Sequence, residues 1–227
     1  MHEYHLHGTT LERPADDCIV YLGVTIQADL KWNKHVDNIT TKASRTLGML
    51  RRNIRIRERA PRELAYKALV RPQVEYASSV WDPPIYSNTK KENQSGLATQ
   101  VEKVQRRGAR FVSSCYRWST EVDPIIKDLK WTSLEDRRKY DRLCMLYKLT
   151  RPEPLASVPT CHLPQHHRLR TKGHSDRFFT YQPRLDIYKY SFFPRTVPEW
   201  NAIKSFDPGA ADTLGKFKSG LARELGC

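Results

Sequence analysis

Glycine is sparse in this chain of 227 residues, with only 10, and no glycine-rich loop of the kind that cradles phosphate occurs. Cysteine is sparser still. The five, at 18, 115, 144, 161 and 227, are odd in number, widely spaced and never arranged as CxxC. A disulfide framework is therefore not expected, and a reducing, intracellular setting fits. Cys144 stands among apolar residues, where a small buried thiol is the ordinary outcome. No apolar run approaches the roughly 20 residues of a membrane-spanning helix. Residues Met1 to His7 carry no apolar stretch either, so neither a secretory signal nor a membrane partner is expected. Neither an internal repeat nor a spacing from which a Ser-His-Asp or Cys-His triad can be argued is present.

Acidic residues are outnumbered: Lys plus Arg total 39 against 25 Asp plus Glu, a net charge of +14. A hydrophobic fraction of 39% with 10% aromatics still provides for a folded core. A basic chain of this kind points to a polyanion, with nucleic acid first.

The periodicity predicts an α+β, mainly α protein in three parts. A small β-hairpin unit occupies 1–31, because Cys18-Ile-Val-Tyr-Leu-Gly-Val-Thr-Ile26 is β-branched and aromatic, with Gly23 marking a bulge or a close backbone approach. A helical middle occupies 32–150. Val36, Ile39, Ala43, Leu47 and Leu50 recur at threes and fours and define a first helix. A second starts at Ala60 or Pro61 with Leu64, Ala68 and Leu69 on its apolar face; Pro72 breaks or kinks it, and 74–80 continue as helix until Trp81-Asp-Pro-Pro84. Residues 85–96 read as a loop. Leu97, Val101, Val104 and Ala109 mark a third helix reaching Val112, and 120–129 a fourth. The capping box Thr132-Ser-Leu-Glu135 opens a fifth, with Leu134, Leu143, Leu146 and Tyr147 apolar. An irregular extension occupies 151–227. It holds a Pro-rich strap up to about His174, one or two strands within 177–193, and a terminal helix capped by Asp212 with Leu214, Phe217 and Leu221 inward.

The positive charge is concentrated. Between Lys42 and Arg71 stand ten cations, namely Lys42, Arg45, Arg51, Arg52, Arg55, Arg57, Arg59, Arg62, Lys67 and Arg71, opposed only by Glu58 and Glu63. Arginine favours phosphate because its planar fork donates two hydrogen bonds at once. Lys103, Arg106, Arg107 and Arg110 form a second cluster along one helix face. A third, Arg137, Arg138, Lys139 and Arg142, is interleaved with Glu135, Asp136 and Asp141 and reads as a solvated face. The pair Asp16-Asp17 resembles paired metal-binding aspartates of polymerases, but Pro14 stands where an aromatic belongs and only Glu3 and Glu12 precede it, so polar turn residues are expected. Cys161-His162 with His166-His167 lack a second half at zinc-finger spacing. Tryptophans 32, 81, 118, 131 and 200 read as core anchors, with Trp32 the one placed to stack on a base.

The run Tyr21-Leu-Gly-Val-Thr-Ile-Gln-Ala-Asp-Leu-Lys-Trp-Asn-Lys-His35 resembles a region just after the catalytic palm in non-LTR, LINE-type, jockey-like retrotransposon reverse transcriptases. Further runs resemble the same proteins in the same order. They are Arg45-Thr-Leu-Gly-Met-Leu-Arg-Arg-Asn53, Leu69-Val-Arg-Pro-Gln-Val-Glu-Tyr-Ala-Ser-Ser-Val-Trp-Asp-Pro83, Val101-Glu-Lys-Val-Gln-Arg-Arg107, Leu134-Glu-Asp-Arg-Arg138, Tyr190-Ser-Phe-Phe-Pro-Arg195 and Trp200-Asn201. The stretch 84–98 departs from the family, being longer and more polar. The resemblance implies a primer-grip-like hairpin at Tyr21, Leu22, Gly23 and Trp32, followed by a thumb that holds an RNA–DNA or DNA template–primer duplex. Arg45, Arg51, Arg52, Arg55, Arg57, Arg59, Lys103, Arg106, Arg107 and Arg110 are the expected phosphate contacts. It also implies that the fingers, the palm with its aspartates and the endonuclease lie outside this sequence. The chain is then expected to be inactive alone, with no cofactor of its own and Mg²⁺ needed only in the full-length polymerase. A nuclear or cytoplasmic ribonucleoprotein is the expected setting. The alternatives are a host-adopted interaction module without nucleic-acid binding, and a non-functional open reading frame.

Overall fold

A computed structural model describes residues 5–6, 9–10, 17–83, 92–117, 119–151, 174 and 176–226. Two short antiparallel pairs come first: β1 (His5–Leu6) with β2 (Thr9–Thr10), and β3 (Cys18–Tyr21) with β4 (Val24–Gln27), in the register Cys18 to Gln27 and Tyr21 to Val24. Gly23 is not a bulge inside a strand. Leu22 and Gly23, both at positive φ, form the two-residue turn of the hairpin, a twist that glycine adopts without strain. Tyr76 Oη donates to the Leu22 carbonyl at 3.0 Å and holds the turn. β4 is pinned to the next helix: Thr25 N–H donates to His35 Nδ1 at 3.2 Å, and Asn38 Nδ2 donates to Thr25 Oγ1 at 3.3 Å.

The rest is helical, so the α+β, mainly α class holds. α1 (Asn33–Asn53) buries the expected stripe of Val36, Ala43, Leu47 and Leu50, and ends with Arg51 and Arg52 against its C-terminal dipole. The second helix differs from expectation. Leu64 is 69% exposed and Leu69 48%, while Arg62, Tyr66, Val70 and Val74 are buried. Leu64 stands two residues from the buried Arg62 and Tyr66, on the opposite side of α2 (Arg59–Ala65), and a π-helical turn, Tyr66–Val70, then links α2 to α3 (Arg71–Glu75). Arg71 N–H reaches back five residues to the Tyr66 carbonyl. The wider turn makes room for Pro72, whose ring would otherwise press on the carbonyl of residue 68. Pro72 therefore neither breaks the helix nor ends it. The helix is interrupted instead at Ala77, at positive φ, before α4 (Ser78–Trp81).

α5 (Glu92–Val112) starts five residues earlier than its apolar stripe suggests, inside the stretch read as loop. α6 (Asp123–Asp128) is shorter than its 120–129 reading. α7 (Leu134–Leu149) is capped one residue later than the Thr132 box: Ser133 Oγ accepts from Asp136 N–H at 3.0 Å. The strands expected in 177–193 are replaced by α8 (Asp186–Lys189) and α9 (Phe192–Asn201); of the aromatics there, Phe178, Tyr181, Phe192 and Phe193 pack against the second core. In α10 (Leu214–Leu225) the cap is Thr213, whose Oγ1 accepts from Lys216 N–H, while Asp212 pairs with Lys216 Nζ at 2.9 Å. Pro84, Trp118, Asp16 and the Cys161 to His167 group lie outside the described residues.

Two cores form. The first joins α1, the π turn, α3 and α5 around Trp81, Tyr66, Val101 and Phe111 and takes Leu134 from the start of α7. Tyr66 stacks on Trp131 with ring centroids 4.6 Å apart, and Trp131 Nε1 donates to Glu63 Oε1 at 2.8 Å. The second core gathers Leu143, Leu146 and Tyr147 from the other end of α7 with Trp200, Phe217 and Leu221. α7 thus belongs to both.

Candidate nucleic-acid interface

The basic residues of the first two clusters come to different fates. Contacts between α1 and α5 advance together along both helices: Gln100 Nε2 donates to Asp37 Oδ1 at 2.7 Å and Arg107 Nη1 to Ser44 Oγ at 3.2 Å. The helices therefore run in the same direction. Between them lies an open groove of about 630 Å³. Arg45 and Arg52 line it from α1, and Lys103 and Arg107 from α5, with the polar side chains of Thr40, Thr41, Ser44 and Gln100 between them; no carboxylate lines it, and Asp37 lies just beyond, bonded to Gln100. Arg45, Arg52 and Lys103 have no hydrogen-bond or ion-pair partner among the described residues. Gly48 leaves space over which Arg52 lies, its Nη1 3.5 Å from where a β-carbon would stand.

Thr40, Thr41, Ser44 and Gln100 escape a reading of charge alone. A signal exists for Thr41, since Thr41, Arg45, Gly48 and Arg52 follow one another at four, three and four, a stripe parallel to the apolar one.

The other expected contacts are dispersed. Arg51 sits 4.1 Å over the ring of Tyr116. Arg55 and Arg57 are exposed in the link between α1 and α2. Arg59 pairs with Asp128 at 2.6 Å and Arg106 with Asp123. Arg110 donates to the carbonyls of Arg117 at 3.0 Å and Thr120 at 2.8 Å, closing the turn after α5. Within the ten-cation run Arg62 is buried, bonded to the Ile56 carbonyl at 2.7 Å, the Phe111 carbonyl at 3.0 Å and Ser114 Oγ. Lys67 meets Glu63 at 2.6 Å and Arg71 meets Glu75 at 3.7 Å. Burial acts to raise the Glu63 pKa, but the bonds from Lys67 and Trp131 prevail and hold it below its ordinary value.

Of the hairpin residues, Tyr21, Leu22 and Gly23 are exposed at the tip, whereas Trp32 is half-buried at the start of α1, edge-on to His35 at 6.4 Å. The exposed strand β3 leaves Ile19, Val20 and Tyr21 uncovered on both faces.

The third cluster is not a solvated face. Arg138 is 0% and Arg142 3% exposed. Asp82 takes Arg138 Nε at 2.6 Å, Arg142 and Arg195 Nη2 at 3.1 Å; Arg142 Nη2 also meets both oxygens of Glu199 at 2.7 Å. Arg137 pairs with Glu75. Burial pulls the pKa values of Arg138, Arg142 and Arg195 down, yet a guanidinium starts so far above neutrality that it stays charged. These arginines fasten the two cores together and are unavailable to a ligand.

Among the described residues no group of three or more His, Cys, Asp or Glu is placed to hold a metal ion, and no helix is long and apolar enough to cross a membrane. The chain matches no protein-family model, no curated protein and no solved structure.

Proposed function

We propose that this chain grips nucleic acid, holding a template–primer duplex as the thumb of a LINE-type reverse transcriptase does, the role its sequence resemblance implies. The observation that supports this reading is the α1–α5 groove. It gathers Arg45, Arg52, Lys103 and Arg107 from two segments some fifty residues apart and places no carboxylate among them. Such a surface attracts a phosphate backbone without selecting a base sequence. The hydroxyls of Thr41 and Ser44 and the amide of Gln100 add neutral hydrogen-bonding groups beside it. Catalysis is no part of this proposal.

The test is the salt dependence of binding to a labelled DNA duplex and to an RNA–DNA hybrid. Removing one cation from a phosphate lowers the slope of log K against log salt by about 0.9 on duplex DNA. Arg52→Gln with Arg107→Gln is expected to flatten the slope by up to about 2 and to weaken unrelated sequences alike. The control is Lys204→Gln with Arg223→Gln, two cations far along the chain. Equal effects of both pairs would reduce the groove to a share of the net charge. A parent-like groove variant would remove it from the interface.

The uncovered β3 favours a second reading, an interaction module that docks a protein. That reading moves ahead if neither nucleic acid binds.

A further inference from the structure

The region around α8 carries an exposed aromatic surface that no core uses. Phe179 is 51%, Leu185 70%, Ile187 60% and Tyr188 48% exposed. Tyr188 is not loose. Its ring meets that of Tyr181 edge-on, with centroids 6.2 Å apart at 90°, and its carbonyl accepts from Ser191 Oγ at 2.7 Å and Ser191 N–H at 3.1 Å. Leu185 lies one helical turn before it, joined through the bond from Lys189 N–H to the Leu185 carbonyl. The result is an anchored ring that still stands half open to solvent.

Cations predominate along this segment: Arg177, Arg184 and Lys189 alternate with the rings in sequence, and Asp186 is the one acid from 177 to 190. Exposed rings interleaved with cations suit a ligand that offers flat apolar faces along an anionic chain, which is the chemistry of an unpaired nucleic-acid strand. A duplex hides its base faces and cannot use this surface. A second copy of the chain would bring the same cations, and the net charge of +14 opposes it. A membrane surface is met by a long amphipathic helix, whereas α8 has four residues.

We infer that the exposed rings of this segment, Tyr188 in α8 and Phe179 before it, serve as a second nucleic-acid site, one that stacks the bases of a single strand. It is separate from the α1–α5 groove and does not rest on it.

The test uses the full chain with a fluorescent oligo(dT) and, in parallel, a duplex of equal length. Loss of one stacking ring is expected to weaken single-strand binding by about 5-fold to about 100-fold. Tyr188→Ala and Phe179→Ala should each do so, Tyr188→Phe should not, and the duplex should bind as before. The difference should persist as salt rises, because stacking is not screened. Ultraviolet crosslinking of the unaltered protein to the oligonucleotide, read by mass spectrometry, should mark Tyr188 or Phe179 even if a variant folds poorly. Unchanged oligo(dT) affinity in both alanine variants, or crosslinks confined to other segments, would overturn the inference. So would equal losses on strand and duplex. If Tyr188→Ala instead abolishes co-sedimentation with phosphatidylserine vesicles and spares the oligonucleotide, the inference is overturned and the surface is a membrane contact.

Discussion

Asp82 accepts from Arg138 Nε at 2.6 Å with both side chains sealed from solvent. The same carboxylate faces Arg142 and Arg195, and Glu199 is a second anion on Arg142, so two carboxylates answer three cations at this junction. Removing one member of such a set leaves buried charge without compensation, at about 3–5 kcal/mol. Asp82→Asn is therefore expected to destabilise the fold by about that amount in urea unfolding. The double variant with Arg138→Met should lose less than the sum of the two single losses, since the charge left unpaired by one change is removed by the other. Strict additivity would mean that the pair does not interact.

His35 gives the fold a pH dependence of known sign. Its Nδ1 accepts from Thr25 N–H, its Nε2 is buried, and burial holds its pKa below the ordinary value. The folded ring is thus neutral where the unfolded one takes up a proton. Stability should fall as pH drops through about 6.5, and level off below the folded pKa. Burial also raises Glu102 and Asp141, which act in the opposite direction. The measurement is accordingly a difference: the parent should lose more stability between about pH 7.5 and about pH 5.5 than His35→Asn does. The parent's hairpin amides, Thr25 first, should lose hydrogen-exchange protection over the same range. Identical pH profiles would show that His35 does not titrate with unfolding.

Gly108 reverses an ordinary rule. Glycine inside a helix is about 1 kcal/mol worse than alanine. Here a β-carbon would stand 2.7 Å from Cδ2 and 2.9 Å from Cζ of Tyr66, and nearer still to Cε2. Tyr66 cannot yield, because its ring is stacked on Trp131. Gly108→Ala should destabilise by about 1–3 kcal/mol, read from thermal or urea unfolding. The same change at Gly96, where a β-carbon meets nothing within 4 Å, should not destabilise.

Some of this is legible in the chain's periodicity, and the rest is hidden for identifiable reasons. The α1 stripe is readable because its buried positions repeat at helical spacing. The second stripe is not, since its buried face runs through Arg62, an arginine, and then through a π turn to Tyr66, Val70 and Val74, leaving Leu64 and Leu69 outside. The cluster at 137–142 imitates a solvated face because its carboxylate partners are remote: Asp82 and Glu199 lie more than fifty residues away on either side. The aromatic run of 177–193 imitates a strand, but Phe178 and Phe192 enter the second core instead. For the candidate interface the charges are visible singly. What joins Arg45 and Arg52 to Lys103 and Arg107 is the parallel packing of α1 and α5, which leaves no local mark.

Because α7 is common to both cores, it acts as an axle. Its sixteen residues span about 24 Å, stiff along their length. One end is set in the first core by Leu134, the other in the second by Tyr147, and the buried arginines key it to its bearings at Asp82 and Glu199. The α8 surface, attached through α9, and the α1–α5 groove, attached through α5, are therefore joined through this one helix. A strand held on one and a duplex held on the other would meet at a junction whose geometry is set by a single helix.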